Sequence, residues 1–150
     1  MRYEIYEAAR IADDFSFFEF VSIGRKGIFP KRISFIPTEY VDVYILAFGD
    51  IINDNDIDDL SISDNGDRNK ILATVAVVVT FYTGQYPERM IYFKGSSKER
   101  TRLYRIAIGL NLDELAETFD IFVEVDQQDQ FIPFQKNMEI NAFLIKRKQP

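Results

Sequence analysis

The segment Gly95 to Arg105, GSSKERTRLYR, gathers the residues best suited to chemistry in this chain. It reads as a strand end, a small-residue turn and a helix start. The first backbone N–H groups of a helix lack intrahelical acceptors and carry partial positive charge, so such a start takes anions. Ser96 and Ser97 add hydroxyls, and Lys98, Arg100, Arg102 and Arg105 add donors suited to phosphate or carboxylate. From Lys94 to Arg105 there are five basic residues and one Glu, a local +4 in a protein of formal net charge −6. On a helix, Lys98, Arg102 and Arg105 share the face opposite an apolar stripe of Leu103, Ile106, Ala107 and Leu110, with Arg100 and Tyr104 at its borders. The competing reading is an ordinary amphipathic helix with a solvated basic face, capped by Ser96 with Glu99 three residues on.

A second constellation is acidic. Asp50 to Asp67 holds seven Asp and no basic residue. Asp54, Asp56 and Asp58 alternate like calcium-loop ligands, but Asp59 stands where that loop needs Gly and Asn65 where it needs a bidentate Glu. An EF-hand is therefore rejected. A looser Mg²⁺ or Ca²⁺ site at Asp56, Asp58 and Asp59 stays open beside a solvated hairpin end. Glu124-Val125-Asp126 lacks the Lys that a carboxylate–metal nuclease would place two positions on, and neither a Walker loop nor GxGxxG occurs.

The composition narrows the chemistry further. With no His and no Cys, the commonest general base, the commonest zinc ligand and the thiolate nucleophile are all missing. Any catalysis would rest on carboxylates, Lys, Tyr, Ser or Thr, or a bound metal. The net charge disfavours nonspecific nucleic-acid binding by the molecule as a whole. The start MRYEIYEAAR has no apolar signal segment, and Ile71 to Tyr82 is too short to span a bilayer. A cytoplasmic location without membrane attachment is the expectation.

The elements that must position these residues come from a chain of 150 residues, 47% hydrophobic, with fourteen Phe and eight Tyr, a balance that leans toward sheet. One domain is expected. Phe15 to Ile23 is a strand with apolar residues on both faces; its aromatics suit a core better than a base-stacking platform, since little positive charge interleaves them. Gly24 to Gly27 supplies a hairpin turn. Ile28 to Pro37 returns as a strand with Arg32 and Ser34 on a wet face, and Pro30 and Pro37 push it toward an edge. Val41 to Gly49 is a strand, Asn53 to Asp56 a turn and Ile57 to Ser63 a weaker strand.

Asp64 to Asp67 offers a helix start, and a core helix runs to about Thr83. Arg89 to Lys94 is a strand, followed by the basic helix and a short helix begun by Asn111-Leu112-Asp113-Glu114. Ile121 to Val125 and Phe131 to Phe134 form a hairpin around Asp126 to Asp129, and Ile140 to Ile145 closes the sheet. The stretch from Ile57 through the long helix to Lys94 reads as a strand–helix–strand crossover. The fold class expected is α+β: a mixed, mostly antiparallel sheet of six to eight strands, with two main helices and a short third on one face.

FEFVSIGRKG (Phe18 to Gly27), LAFGD (Leu46 to Asp50), IDDLSISDNGDRNKILATVA (Ile57 to Ala76) and GSSKERTRLYRIAI (Gly95 to Ile108) together cover most of the chain. On these motifs the chain resembles a family of small bacterial proteins of unknown function. The resemblance implies a stand-alone bacterial domain and attaches no activity or catalytic residue to it. Where that family reads Asn before LAFGD, this chain has Ile45. The leading expectation is a non-enzymatic interaction or regulatory module with no cofactor, binding a phosphate-containing ligand or an acidic protein partner through Ser96 to Arg105. The alternatives are a small carboxylate–metal hydrolase or nuclease at the Asp56, Asp58 and Asp59 cluster, and a structural homodimer formed through a strand edge.

Overall fold

Alternation, turn chemistry and one long apolar helix set the order of elements in a computed structural model, which describes residues 3–53, 56–58, 65–125 and 130–149. The strands are β1 (Arg10–Ile11), β2 (Phe17–Gly24), β3 (Gly27–Pro37), β4 (Val43–Asn53), β5 (Asp56–Asp58), β6 (Met90–Phe93), β7 (Phe119–Glu124), β8 (Phe131–Pro133) and β9 (Ala142–Arg147). The helices are α1 (Arg68–Gln85), α2 (Lys98–Leu110) and α3 (Leu112–Thr118). The pair β4–β6 is parallel, whereas β1–β2, β2–β3, β4–β5, β6–β9, β7–β8 and β7–β9 are antiparallel. The protein is thus α+β with a mixed, mostly antiparallel sheet. The parallel partner of β6 is β4; the strand that begins near Ile57 folds back antiparallel on β4 instead. Residues 59–64 and the expected turn Asp126 to Asp129 lie outside the described residues, as do Asp54 and Asn55 of the expected Asn53 to Asp56 turn.

The chain forms two compact units, Met1–Ile36 with Leu46–Tyr82, and Pro37–Ile45 with Thr83–Pro150. In the first, the strand order is β1-β2-β3-β4 with β5 on β4. Gly24 pairs with Gly27 across a two-residue turn, with Gly27 at φ 127°. From that pair outward, every second pair exchanges N–H···O bonds, so Val21↔Pro30 is a non-bonded pair. The missing N–H of Pro30 therefore costs the hairpin nothing, and β3 runs eleven residues between β2 and β4 rather than along an edge. On the inner face Phe18, Phe20, Ile33 and Phe35 are buried with Ala73, Val78 and Tyr82 of α1, and the Phe35 and Tyr82 rings stack at 3.8 Å.

Two charged residues of β3 are buried, Lys31 on the inner face with Ile33 and Arg32 on the opposite one, so that second face is not simply wet. Lys31 pairs with Asp50 of β4, with the rings of Phe29 and Phe48 at 5.9 and 5.8 Å from its ammonium. Arg32, 6% exposed, stands opposite Glu19 and donates from Nε at 2.7 Å. Arg10 stands on the other side of Glu19 and reaches it at 2.8 Å. Both guanidiniums lie over Phe17. One carboxylate between two cross-strand arginines is an arrangement that composition cannot show. Burial alone would raise the Glu19 carboxyl; the bonds and charges of Arg32 and Arg10 outweigh it and hold it below its ordinary 4.5.

In the second unit the order is β4-β6-β9-β7-β8, with Ile91, Val123, Ala142 and Phe143 fully buried. Phe93 stacks on Phe143 at 5.0 Å and takes the edge of Tyr104 from α2. Helix α2 therefore covers the face that carries Ile91 and Phe93.

Removing one partner of a buried ion pair leaves the other charge uncompensated. Lys31→Ala is expected to lower stability by about 3–5 kcal/mol in urea unfolding, and Lys31→Met with Asp50→Leu to recover most of the loss. Because the folded Glu19 pKa is depressed, its contribution is present above pH 4.5 and disappears as pH falls through the folded value. Below pH 4.5, the thermal midpoint of Glu19→Gln should fall less steeply than that of the wild type.

Candidate functional site

The turn at Gly95 and the start of α2 are held by their own side chains. Gly95 N donates to Thr101 Oγ1 at 3.0 Å, and that hydroxyl donates to the Ser97 carbonyl at 3.1 Å. A Cβ at Gly95 would overlap Thr101 N and Arg100 Cβ, so only Gly allows this closure. The cap is Ser97, whose Oγ accepts from Arg100 N at 3.2 Å. Ser96 lies one residue before it, exposed, and with Ser97 as the cap the third helical residue is Arg100, not Glu99. The Ser96–Glu99 capping box does not form, because the Gly95–Thr101 closure sets the helix to start one residue later.

That closure also fixes which face of α2 turns inward. Thr101 is the buried residue of the helix, and Tyr104 packs on Phe93. Arg105 turns in, donating from Nη1 to the Met138 carbonyl at 3.0 Å. Arg100 is half-buried. The expected apolar stripe turns inward only in part: Leu103 and Ala107 are half-buried, whereas Ile106 is 39% and Leu110 78% exposed. Lys98 and Arg102 are exposed on the same row, so Lys98, Arg102, Ile106 and Leu110 stand at i, i+4, i+8 and i+12 along one ridge. Lys94, Lys98 and Arg102 make no ion pair or hydrogen bond among the described residues. Of the seven residues singled out from the sequence, the structure leaves Ser96, Ser97, Lys98 and Arg102 at the surface and engages Arg100, Tyr104 and Arg105 in packing or bonding. Asn111 does not cap α3; its side chain donates back to the Ala107 carbonyl at 2.8 Å.

The acidic constellation falls largely outside the structure. Asp59 is not among the described residues, and Asp56 and Asp58 are placed as backbone of β5. Among the described residues, no group of three or more Asp or Glu is arranged to hold a metal ion.

A polar cluster that the sequence did not reveal sits in the first unit. Ser22 Oγ donates to Asp67 Oδ2 at 2.6 Å, and the Tyr6 hydroxyl donates to the same oxygen. Asn65 donates from Nδ2 to Ser22 Oγ at 3.2 Å and to the Gly27 carbonyl at 2.9 Å, and its Oδ1 accepts from Lys26 N at 2.7 Å. Burial first, and then Asp67, raises the Tyr6 phenol. These are the residue types of a catalytic site, but Ser22 is 0% exposed, so the cluster joins chain segments rather than meeting a substrate.

The second unit carries a groove of about 920 Å³ on its uncovered sheet face. Ile45, Tyr92 and Leu144, side by side on β4, β6 and β9, form its floor. Glu124 and Phe131, paired across β7 and β8, form one wall, with the Phe131 ring at 6.2 Å from that of Tyr92. The other wall is the turn at 37–40, closed by Thr38, whose hydroxyl donates to the Val43 carbonyl at 2.8 Å and accepts from Tyr40 N at 3.2 Å. Sequence reasoning passed over these residues because the groove arises from five strands, neighbours in the sheet but drawn from distant parts of the sequence.

The fold and these surfaces define an α+β protein in which most described buried polar groups are matched internally, Asp67 Oδ1 being buried without a hydrogen-bond partner among the described residues. The chain belongs to DUF6934, a family of unknown function, whose model matches residues 2–148. No curated protein and no solved structure matches it. No described helix is long and apolar enough to cross a membrane.

The cap assignment has a direct check. Ser97→Ala should lower stability by about 1 kcal/mol in denaturant unfolding, while Ser96→Ala leaves it unchanged. The reverse order would restore the Ser96 capping box.

Proposed function

We propose that the protein is a non-enzymatic interaction module that docks an acidic partner protein on the exposed ridge of α2. The observation that carries this reading is the composition of the ridge: two exposed cations, Lys98 and Arg102, whose side chains have no partner among the described residues, followed on the same helical row by exposed Ile106 and Leu110. Such a row suits a surface that presents carboxylates or phosphate beside an apolar patch. The capped start of α2 adds the N–H groups of Lys98 and Glu99, which have no intrahelical acceptor. Among reactive side-chain types elsewhere, Ser22 is bonded to Asp67 and Lys31 is paired with Asp50 inside the first unit. This supports binding over catalysis.

The test is affinity capture from the native host with the wild type, with Lys98→Glu/Arg102→Glu and with Leu110→Ser. Both variants should keep the wild-type thermal midpoint and lose the same captured protein. A protein held equally by all three would overturn the reading. Mg²⁺, Mn²⁺ and Ca²⁺ should leave the midpoint unchanged; a rise with any of them would favour the carboxylate–metal hydrolase instead.

A further inference from the structure

The groove of the second unit has a chemistry different from that of the α2 ridge. Two carboxylates, Glu39 and Glu124, stand in its lining, and among the described residues no basic side chain lines it. Neither carboxylate has a cationic partner among the described residues. Between them lie aromatic faces: Tyr92 on the floor, Phe131 edge-to-face with it, and Tyr40, 68% exposed, on the turn. Burial lifts the Tyr92 phenol above its ordinary 10.0, and the negative charge of Glu124 lifts it further, so that charge is felt at the groove floor.

This combination selects among ligands. An anion would meet two negative charges. A neutral apolar ligand would strip water from Glu124 and return no countercharge, which is costly. A hard metal ion requires about six oxygen ligands, whereas these walls are largely aromatic and aliphatic. A cation carried on an apolar body satisfies both features, since ring faces attract positive charge and carboxylates neutralise it. The volume of 920 Å³ falls within the range of about 300–1,000 Å³ usual for small-molecule sites. The turn at 37–40 is fixed by its own hydrogen bonds, so that wall exists before any ligand arrives.

We propose that this groove binds a small organic cation, an alkylammonium group on an apolar body, with Glu124 and Glu39 as countercharges and Tyr92, Tyr40 and Phe131 as the aromatic enclosure. The site is independent of the α2 ridge, and either can fail without the other.

The test uses the whole chain labelled with 3-fluorotyrosine and read by ¹⁹F NMR. The probes are choline, n-butylammonium and 3,3-dimethylbutan-1-ol, the neutral isostere of choline. At least one of the two cations should shift the Tyr92 and Tyr40 resonances saturably. For choline, the neutral isostere should be weaker by about tenfold, within the range expected for a cation on aromatic faces. Glu124→Gln, which keeps shape and removes charge, should weaken that cation by a similar factor at an unchanged thermal midpoint. If Glu124→Gln fails to fold, Glu39→Gln at the groove mouth serves in its place. Equal binding of choline and its neutral isostere would overturn the proposal, as would no saturable shift with either cation. Binding of an oligolysine peptide alone would overturn it in favour of a protein partner.

Discussion

Asn65 is the residue on which the first unit depends. It is 3% exposed, and its side chain satisfies three groups of the β2–β3 hairpin at once: Lys26 N, the Gly27 carbonyl and Ser22 Oγ. Its carbonyl accepts from Arg25 N. A Cβ on Gly24 would overlap that carbonyl, so the hairpin needs Gly at that position to receive the segment before α1. Two residues on, Asp67 takes the Ser22 and Tyr6 hydroxyls, and Tyr6 N donates to Thr74 of α1 at 2.9 Å. A turn, a helix start and the N-terminal segment are thereby closed on one another. A buried amide left unbonded costs about 1–3 kcal/mol, so each of these partners constrains the others.

Closure of this kind recurs among the charged side chains of the first unit. The first unit places four of its cations beside carboxylates or rings: Lys31 with Asp50, Arg10 and Arg32 with Glu19, and Lys70 over the Tyr6 ring at 4.2 Å. Buried pairs of this kind contribute little net stability against apolar substitutes, but they penalise any register that separates the partners. A one-residue slip of β2 against β3 would part Glu19 from Arg32 and turn Phe18 and Phe20 away from α1. The charges thus specify the register of the sheet.

The parts legible in the sequence were those with local causes. Gly24 to Gly27 shows its turn because glycine spacing and alternation lie within ten residues of each other, and α1 shows itself through length and apolar content. What escaped depended on distant partners. Arg32 looks like a surface residue until Glu19 is seen across the ladder. Asn65 resembles a helix cap, yet it bonds a hairpin thirty-nine positions away. In α2 only Leu103 and Ala107 of the hydrophobic stripe turn partly inward, because Thr101 and Tyr104, locked to Gly95 and Phe93, set the rotation of the helix.

This last displacement bears on function. Packing α2 with Ile106 and Leu110 turned inward would gain about 1.5–3 kcal/mol for each side chain fully removed from water. The structure instead holds the Gly95–Thr101 bond and the Tyr104–Phe93 contact, and both aliphatic side chains face outward. Single exposed apolar residues are ordinary and call for no explanation. Two of them in line with two unpaired cations on one helical row form a continuous surface of mixed character, with the charge at the anion-favouring end of the helix. Burying that row against an acidic, apolar-backed surface would recover the unburied area and match the charge in one contact. Folding alone does neither.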